Sequence, residues 1–145
     1  VMIGIKGPRN VPEWTPLAKS LGMRVIPIGE VEARGMAAVA EEARRIASPD
    51  GRPLYVSVDI DAVDPAYAPG TNSPEPGGLT SREIITGVRI VCRDGFAGFD
   101  VVEVSPDFDS KSGTTSLLAA RLATEALCCL AATRAGKQDA WKFKP

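Results

Sequence analysis

Histidine is absent from this chain of 145 residues. The side chain that titrates nearest neutral pH, and the commonest ligand of transition metals, cannot be supplied from within it. Cysteine is scarce and odd in number, at Cys92, Cys128 and Cys129. The last two are neighbours on a predicted helix, where they cannot readily bond each other. That argues against a disulfide framework and for reduced thiols in a cytoplasmic setting. Charge of one sign is missing too: the formal net charge is −1, so no basic field points to nucleic acid or an anionic membrane surface. No apolar stretch approaches the roughly 20 residues of a spanning helix. The opening "VMIGIKG" lacks the basic, apolar and small-residue order of a signal peptide. Internal repeats and low-complexity segments are also absent.

What is present is one domain's length of globular composition, 44% hydrophobic and 24% charged. Strand-like and helix-like segments alternate. "VMIGI" (1–5) and "MRVIPIGE" (23–30) read as strands, with a short helix over 11–22 closed by Gly22 between them. A helix is predicted over 31–47, with Met36, Val39, Ala40, Ala43 and Ile46 at helical spacing and Glu41 and Arg45 as an i,i+4 pair. "LYVSVDI" (54–60) is the clearest strand: Leu54, Val56, Val58 and Ile60 point one way, Tyr55, Ser57, Asp59 and Asp61 the other. A Pro/Gly-rich loop follows. Thr80 and Glu83 then form a capping box ahead of an apolar helix. "FDVVEV" (99–104) is the last strand, and a final helix over 114–135 is apolar nearly all round and so expected to be well covered. This βαβαβαβα order predicts an α/β fold, a parallel sheet flanked by helices on both faces.

In such sheets ligands bind beyond the carboxyl ends of the strands. Asp59 and Asp61 stand at the end of the third strand and Glu103 at the end of the fourth. Two carboxylates at i and i+2 share a strand face about 6–7 Å apart and repel each other unless something intervenes. A multivalent cation removes the conflict, and hard oxygen donors suit Mg²⁺, Ca²⁺ or Mn²⁺. The competing reading is that these aspartates cap the next turn or satisfy loop amides. Asp64, before Pro65, reads as a turn device.

The stretch "SVDIDAVDPAYAPGTNSPEPGG" resembles the C-terminal signature of the ureohydrolases, the arginase and agmatinase family, and "DVVEVSPDFD" resembles its second C-terminal segment. The two occur in the family's order, the resemblance covers essentially the whole chain, and "PEPGGLT" is closer in look to the agmatinase and guanidinobutyrase branch. The resemblance implies an arginase-like three-layer fold. It further implies a binuclear Mn²⁺ centre with Asp59 and Asp61 as ligands, Asp61 also handling a proton, and Glu103 facing the substrate guanidinium. Ser73 is a weaker candidate for orienting Glu103 or the substrate, and the alternative for Glu103 is an exposed strand-end glutamate. The implied reaction is metal-assisted hydrolysis of agmatine or a related guanidino acid to urea and an amine. Asn72-Ser73 stands where many members have Gly-Thr, which bears on substrate identity.

The missing histidine returns at this point. The family's other metal ligands come from motifs of the type GGDHS and DAHxD, and neither is present. Two aspartates alone would hold two Mn²⁺ ions poorly. The expectation is therefore the C-terminal half of a ureohydrolase domain over 1–136, with a tail over 137–145. It would work with a missing N-terminal half or complementary subunit, and by resemblance in a homo-oligomer, trimer or hexamer. An open sheet edge near the N-terminus is expected to seek a partner. Two other readings are a non-catalytic subunit that keeps the fold, and a flavodoxin-like module whose acids chelate one divalent ion; the latter lacks a phosphate-cradling glycine turn. Trp14, Trp141, Cys128 and Cys129 are read as packing residues.

Overall fold

A computed structural model describes residues 1–8 and 11–137. Its elements run β1 (Met2–Ile5), α1 (Trp14–Ser20), β2 (Val25–Pro27), α2 (Ile28–Arg34), α3 (Met36–Ala47), β3 (Leu54–Asp59), α4 (Ser81–Cys92), β4 (Phe96–Val102) and α5 (Thr114–Arg134). Single 3₁₀ turns follow β3 (Ile60–Ala62) and β4 (Pro106–Phe108). The alternation expected from periodicity is present, with three revisions. The strand expected over 23–30 is Val25–Pro27, and Ile28 to Glu30 open α2 instead. The helix expected over 31–47 is two helices, because Gly35 sits between them at φ 80°, a backbone conformation that costs glycine nothing and ends a helix. The fourth strand begins at Phe96, where aromatic and glycine residues extend the ladder with β3 upstream of the predicted start. Trp141 and all of the tail beyond Lys137 lie outside the described residues.

The strands pair in parallel, β1 with β2 and β3 with β4. The expected single sheet is, among the described residues, two two-stranded sheets. Helices join them. One apolar cluster holds Val58 and Ile60 of the third strand region against Val88 and Cys92 of α4 and Leu118, Leu122, Ala126 and Cys129 of α5. The second gathers Ile26, Val31, Met36, Val39, Ala40, Leu79 and Ile90. The two meet where α3 crosses α4. There Gly87 lets the helices approach, since a Cβ at that position would lie 3.0 Å from the Met36 sulfur. Burying each large aliphatic side chain in these clusters contributes roughly 1.5–3 kcal/mol.

The expected alternation holds along β3, with Leu54 and Val58 buried and Tyr55 69% exposed, but the strand stops at Asp59: Ile60 and Asp61 lie in the 3₁₀ turn, so Asp59 and Asp61 do not share a strand face as expected. Thr80 and Glu83 form the reciprocal capping box that starts α4, with Thr80 N–H donating to Glu83 Oε2 at 2.8 Å. Among the described residues Glu41 pairs with Arg93, just past α4, and not with Arg45, and Ile46 is 44% exposed. The long-range partner overrides helical spacing there.

α5 departs most from expectation. Its inner face is buried, but Leu117 and Leu127 are 66% and 63% exposed and Cys128 is exposed as well. By length and composition it is also apolar enough to cross a membrane, contrary to the reading from uninterrupted runs. Two of its three charges, Arg121 and Glu125, form an ion pair that also takes in Arg89 of α4, and its inner face packs on α4 and β4 in the manner of a core helix. The three thiols are free. Burial pushes Cys92 up to about 12 and raises Cys129, which keeps both protonated and unreactive.

Candidate metal and substrate site

The alternation of β3 ends on a polar step. Asp59 closes the strand and its carboxylate accepts the Asp61 N–H at 2.9 Å, capping the 3₁₀ turn that follows. The capping reading of Asp59 is thus satisfied in the structure without removing its carboxylate from the strand end. Asp61 lies in that turn, and its Oδ1 accepts from the Thr71 hydroxyl. Thr71 is 3% exposed, and its Oγ1 also faces the Ser73 N–H at 3.5 Å. Asp61, Thr71 and Ser73 therefore form a short polar relay across the loop.

A cavity of about 670 Å³ opens at this edge, and Asp59, Asp61, Ser73, Glu75 and Lys6 line it. The Lys6 ammonium, one residue past β1, donates to the carbonyl oxygens of Val63 at 3.2 Å and Glu75 at 2.5 Å. Burial lowers the Lys6 pKa, and the carboxylates of Asp64, Asp61, Glu75 and Asp59 work against that shift. Lys6 and Thr71 escaped the sequence reading. A lysine at a strand end carries no local signal, whereas Thr71 could have been suspected as a small hydroxyl residue beside "APG".

Asp64 is a turn device, as expected. It accepts from Ala66 N–H at 2.9 Å, Gly77 N–H at 2.7 Å and Gly78 N–H at 3.2 Å, and these bonds, Ala66 first, lower its pKa. Gly78 is required there, because a Cβ would fall 2.5 Å from the Asp64 nitrogen.

Glu103 follows β4. The ladder pairs Asp59 with Val102, so Glu103 stands one step beyond the neighbour of Asp59, on a strand about 4.8 Å away. It is exposed, and it is not among the residues that line the cavity. Among the described residues it is the one non-glycine with positive φ, at 62°. Such a conformation costs on the order of 1 kcal/mol or more and persists where the surroundings impose it.

Asp109 ties the two loops together, a role no sequence signal announced beyond its place before a helix. It accepts from Thr115 N–H, Ser116 N–H and Ser116 Oγ, each at 2.9 Å. Burial alone would raise its pKa; the Thr115 and Ser116 hydrogen bonds outweigh that and hold it well below the usual carboxylate range. Its side chain packs on Gly70, where a Cβ would meet it at 2.7 Å. Thr115 in turn accepts from Gly70 N–H at 2.7 Å.

The strand-end acids match a divalent cation in kind, being hard, anionic oxygen donors at the open end of a parallel ladder. In number they fall short. Among the described residues no group of three or more histidine, cysteine, aspartate or glutamate side chains is placed to hold a metal ion.

The profile of the arginase family matches residues 1–129. The chain is 45% identical over 127 residues to proclavaminate amidinohydrolase of Streptomyces clavuligerus, covering 88% of this chain and 40% of that protein. It is 43% identical over 138 residues to guanidinopropionase of Pseudomonas aeruginosa, covering 93% and 42%. The solved proclavaminate amidinohydrolase structure superposes with a TM-score of 0.81 at 43% identity, over 90% of this chain and 42% of that one. The chain thus spans about two fifths of the length of the relatives it matches.

Proposed function

The chain belongs to the arginase family, and from that premise we propose that it is part of a metal-dependent amidinohydrolase that splits a guanidino compound, agmatine or a related guanidino acid, into urea and an amine. The observation that carries this reading is the placement of Asp59, Asp61 and Ser73 at one cavity edge, with Glu103 one register step beyond the partner of Asp59.

Asp59 and Asp61 would hold a binuclear Mn²⁺ centre together with donors outside this chain, and that centre, when bound, supplies an activated water as nucleophile. Glu103 receives the guanidinium through paired, charge-assisted hydrogen bonds, for which a carboxylate fork is well matched. The left-handed backbone at Glu103 fixes the side chain's departure point from β4, so its aim does not rest on rotamer choice alone. Asp61, oriented by the Thr71 hydroxyl, relays a proton to the leaving amine as the C–N bond breaks. Ser73, tethered through Thr71, orients the substrate at the cavity mouth. Lys6 keeps the 63–75 loop against the end of β1, and with it the position of Ser73.

The same reading takes residues 1–136 as one unit, places the protein in a reducing, cytoplasmic setting on the strength of its free thiols, and makes the assembly a trimer or hexamer. The exposed Leu117 and Leu127 of α5 supply an apolar surface for such an assembly. A second reading, a non-catalytic subunit, draws on one observation, the want of a third metal ligand among the described residues. Urea release by the chain reconstituted with its complementary half, with and without Mn²⁺, separates the two.

A further inference from the structure

β4 closes its ladder on the pair of Asp59 and Val102, and Glu103 is the first residue past it. Two residues on, the Ser105 N–H donates to the Gly70 carbonyl at 2.8 Å. Glu103 and Val104 therefore span the gap between two fixed points. Glu103 is exposed, so its aim comes from the backbone on either side and not from packing. Its φ of 62° persists only while its surroundings hold it. Gly70 is gripped on both of its backbone groups, because its own N–H donates to the Thr115 hydroxyl at 2.7 Å. Gly70 is buried and Thr115 is 0% exposed, so water cannot stand in for either partner. A Cβ at position 70 would lie 2.7 Å from the Asp109 Cβ, and the Asp109 carboxylate accepts the Thr115 N–H at 2.9 Å. Thr115 is the second residue of α5, and Leu118 and Leu122 seat that helix in the apolar core.

One residue along, Thr71 donates its hydroxyl to Asp61. Gly70 is thus the point where two paths part, through Thr71 to Asp61 and through Ser105 to Glu103. A long hydrogen bond from Ser105 Oγ to Asn72 Oδ1, at 3.4 Å, crosses between the same two loops. We propose that Thr115 is a positioning residue for the hydrolysis, acting through Gly70 to hold Glu103 in its left-handed conformation and so to fix its place relative to Asp61. The hydroxyl is the feature required. A valine at this position keeps the shape but orphans the buried Gly70 N–H. A buried amide without a partner is costly and turns toward water where it can, and the carbonyl that holds Ser105 shifts with it. Glu103 then relaxes out of the left-handed region and the guanidinium acceptor leaves its place. Asp61 keeps the hold of its own 3₁₀ turn, which Asp59 caps. The clasp is a matter of backbone geometry alone, and its bearing on turnover rests on the role proposed above for Glu103.

The test uses the enzyme reconstituted with its complementary half and compares Thr115→Val with Thr115→Ser, which keeps the hydroxyl. Amide hydrogen exchange, followed by mass spectrometry, is expected to quicken about tenfold in Thr115→Val over 68–72 and 103–107 and to stay unchanged over 118–130. With Mn²⁺ added, kcat/KM for agmatine or guanidinobutanoate, whichever the wild type turns over, is expected to fall about tenfold or more at wild-type metal content. Thr115→Ser is expected to match the wild type in exchange and in kcat/KM. Wild-type exchange over 103–107 in Thr115→Val overturns the clasp. So does quickened exchange there in Thr115→Ser, a result that decides the matter even where Thr115→Val loosens α5 as a whole. Quickened exchange in Thr115→Val with wild-type kcat/KM overturns the positioning role and leaves the proposed function standing. Quickened exchange with no urea from the wild type or either variant confines the clasp to the fold and removes the proposed function, and the positioning role with it.

Discussion

The Lys6 ammonium donates to the Glu75 carbonyl oxygen at 2.5 Å, fastening the end of β1 to the loop that carries Ser73. It bridges the two half-sheets at the edge where the acids gather. Lys6→Met keeps the apolar stem but orphans the Val63 and Glu75 carbonyls, so a loss of about 1–2 kcal/mol is expected in urea unfolding. In the reconstituted enzyme the same variant lowers turnover through a displaced Ser73 loop, while Mn²⁺ content stays constant.

Glu103 holds a backbone conformation that glycine adopts freely. Glu103→Gly is therefore expected to keep or raise stability, by up to about 1 kcal/mol, while removing turnover. Glu103→Gln keeps the shape, spares bound metal and weakens turnover. Thermal unfolding and urea release on the same two variants check the pair of outcomes, and wild-type turnover in Glu103→Gln would remove the guanidinium role.

Acid sensitivity follows from Asp109. Its carboxyl is held below its ordinary value of 3.8 in the folded chain, so the stability it contributes is fully present above that value and is lost as pH falls below it toward the folded pKa. Asp64 and Glu125 shift in the same direction. Unfolding free energy is expected to fall between pH 5 and pH 2 more steeply in the wild type than in Asp109→Asn, which starts lower at neutral pH. Parallel slopes in the two proteins would contradict this.

Glu125 is 7% exposed and bonds Arg89 with both oxygens, at 2.8 and 2.7 Å. Glu125→Ala strands a largely covered guanidinium between α4 and α5, for a loss of about 3 kcal/mol. Arg121→Ala, which removes the more exposed partner, costs less than 1 kcal/mol. Chemical denaturation of both variants measures the difference.

The element order and the site's edge were legible because both rest on local patterns: alternation over Leu54–Ile60, the Thr80–Glu83 box, and acids where a strand stops. Gly35 was read through because a helical pattern resumes at once on its far side. The exposure of α5 could not be read from composition, since Leu117 and Leu127 differ from Leu118 and Leu122 only in what lies opposite them. The division into two half-sheets was likewise invisible, because strand periodicity says which face is buried but not which edge is paired. Lys6 acts across 57 residues, and Asp109 meets Gly70 from another loop, separations at which sequence spacing carries no signal.

Metal content and urea release measured together on the reconstituted enzyme bear most directly on the role of Asp59 and Asp61. Wild type is expected to bind Mn²⁺ and release urea from a guanidino substrate, and Asp59→Ala and Asp61→Ala to lose both while the chain stays folded by circular dichroism. Either variant retaining wild-type metal and turnover would contradict the assignment of the strand-end aspartates.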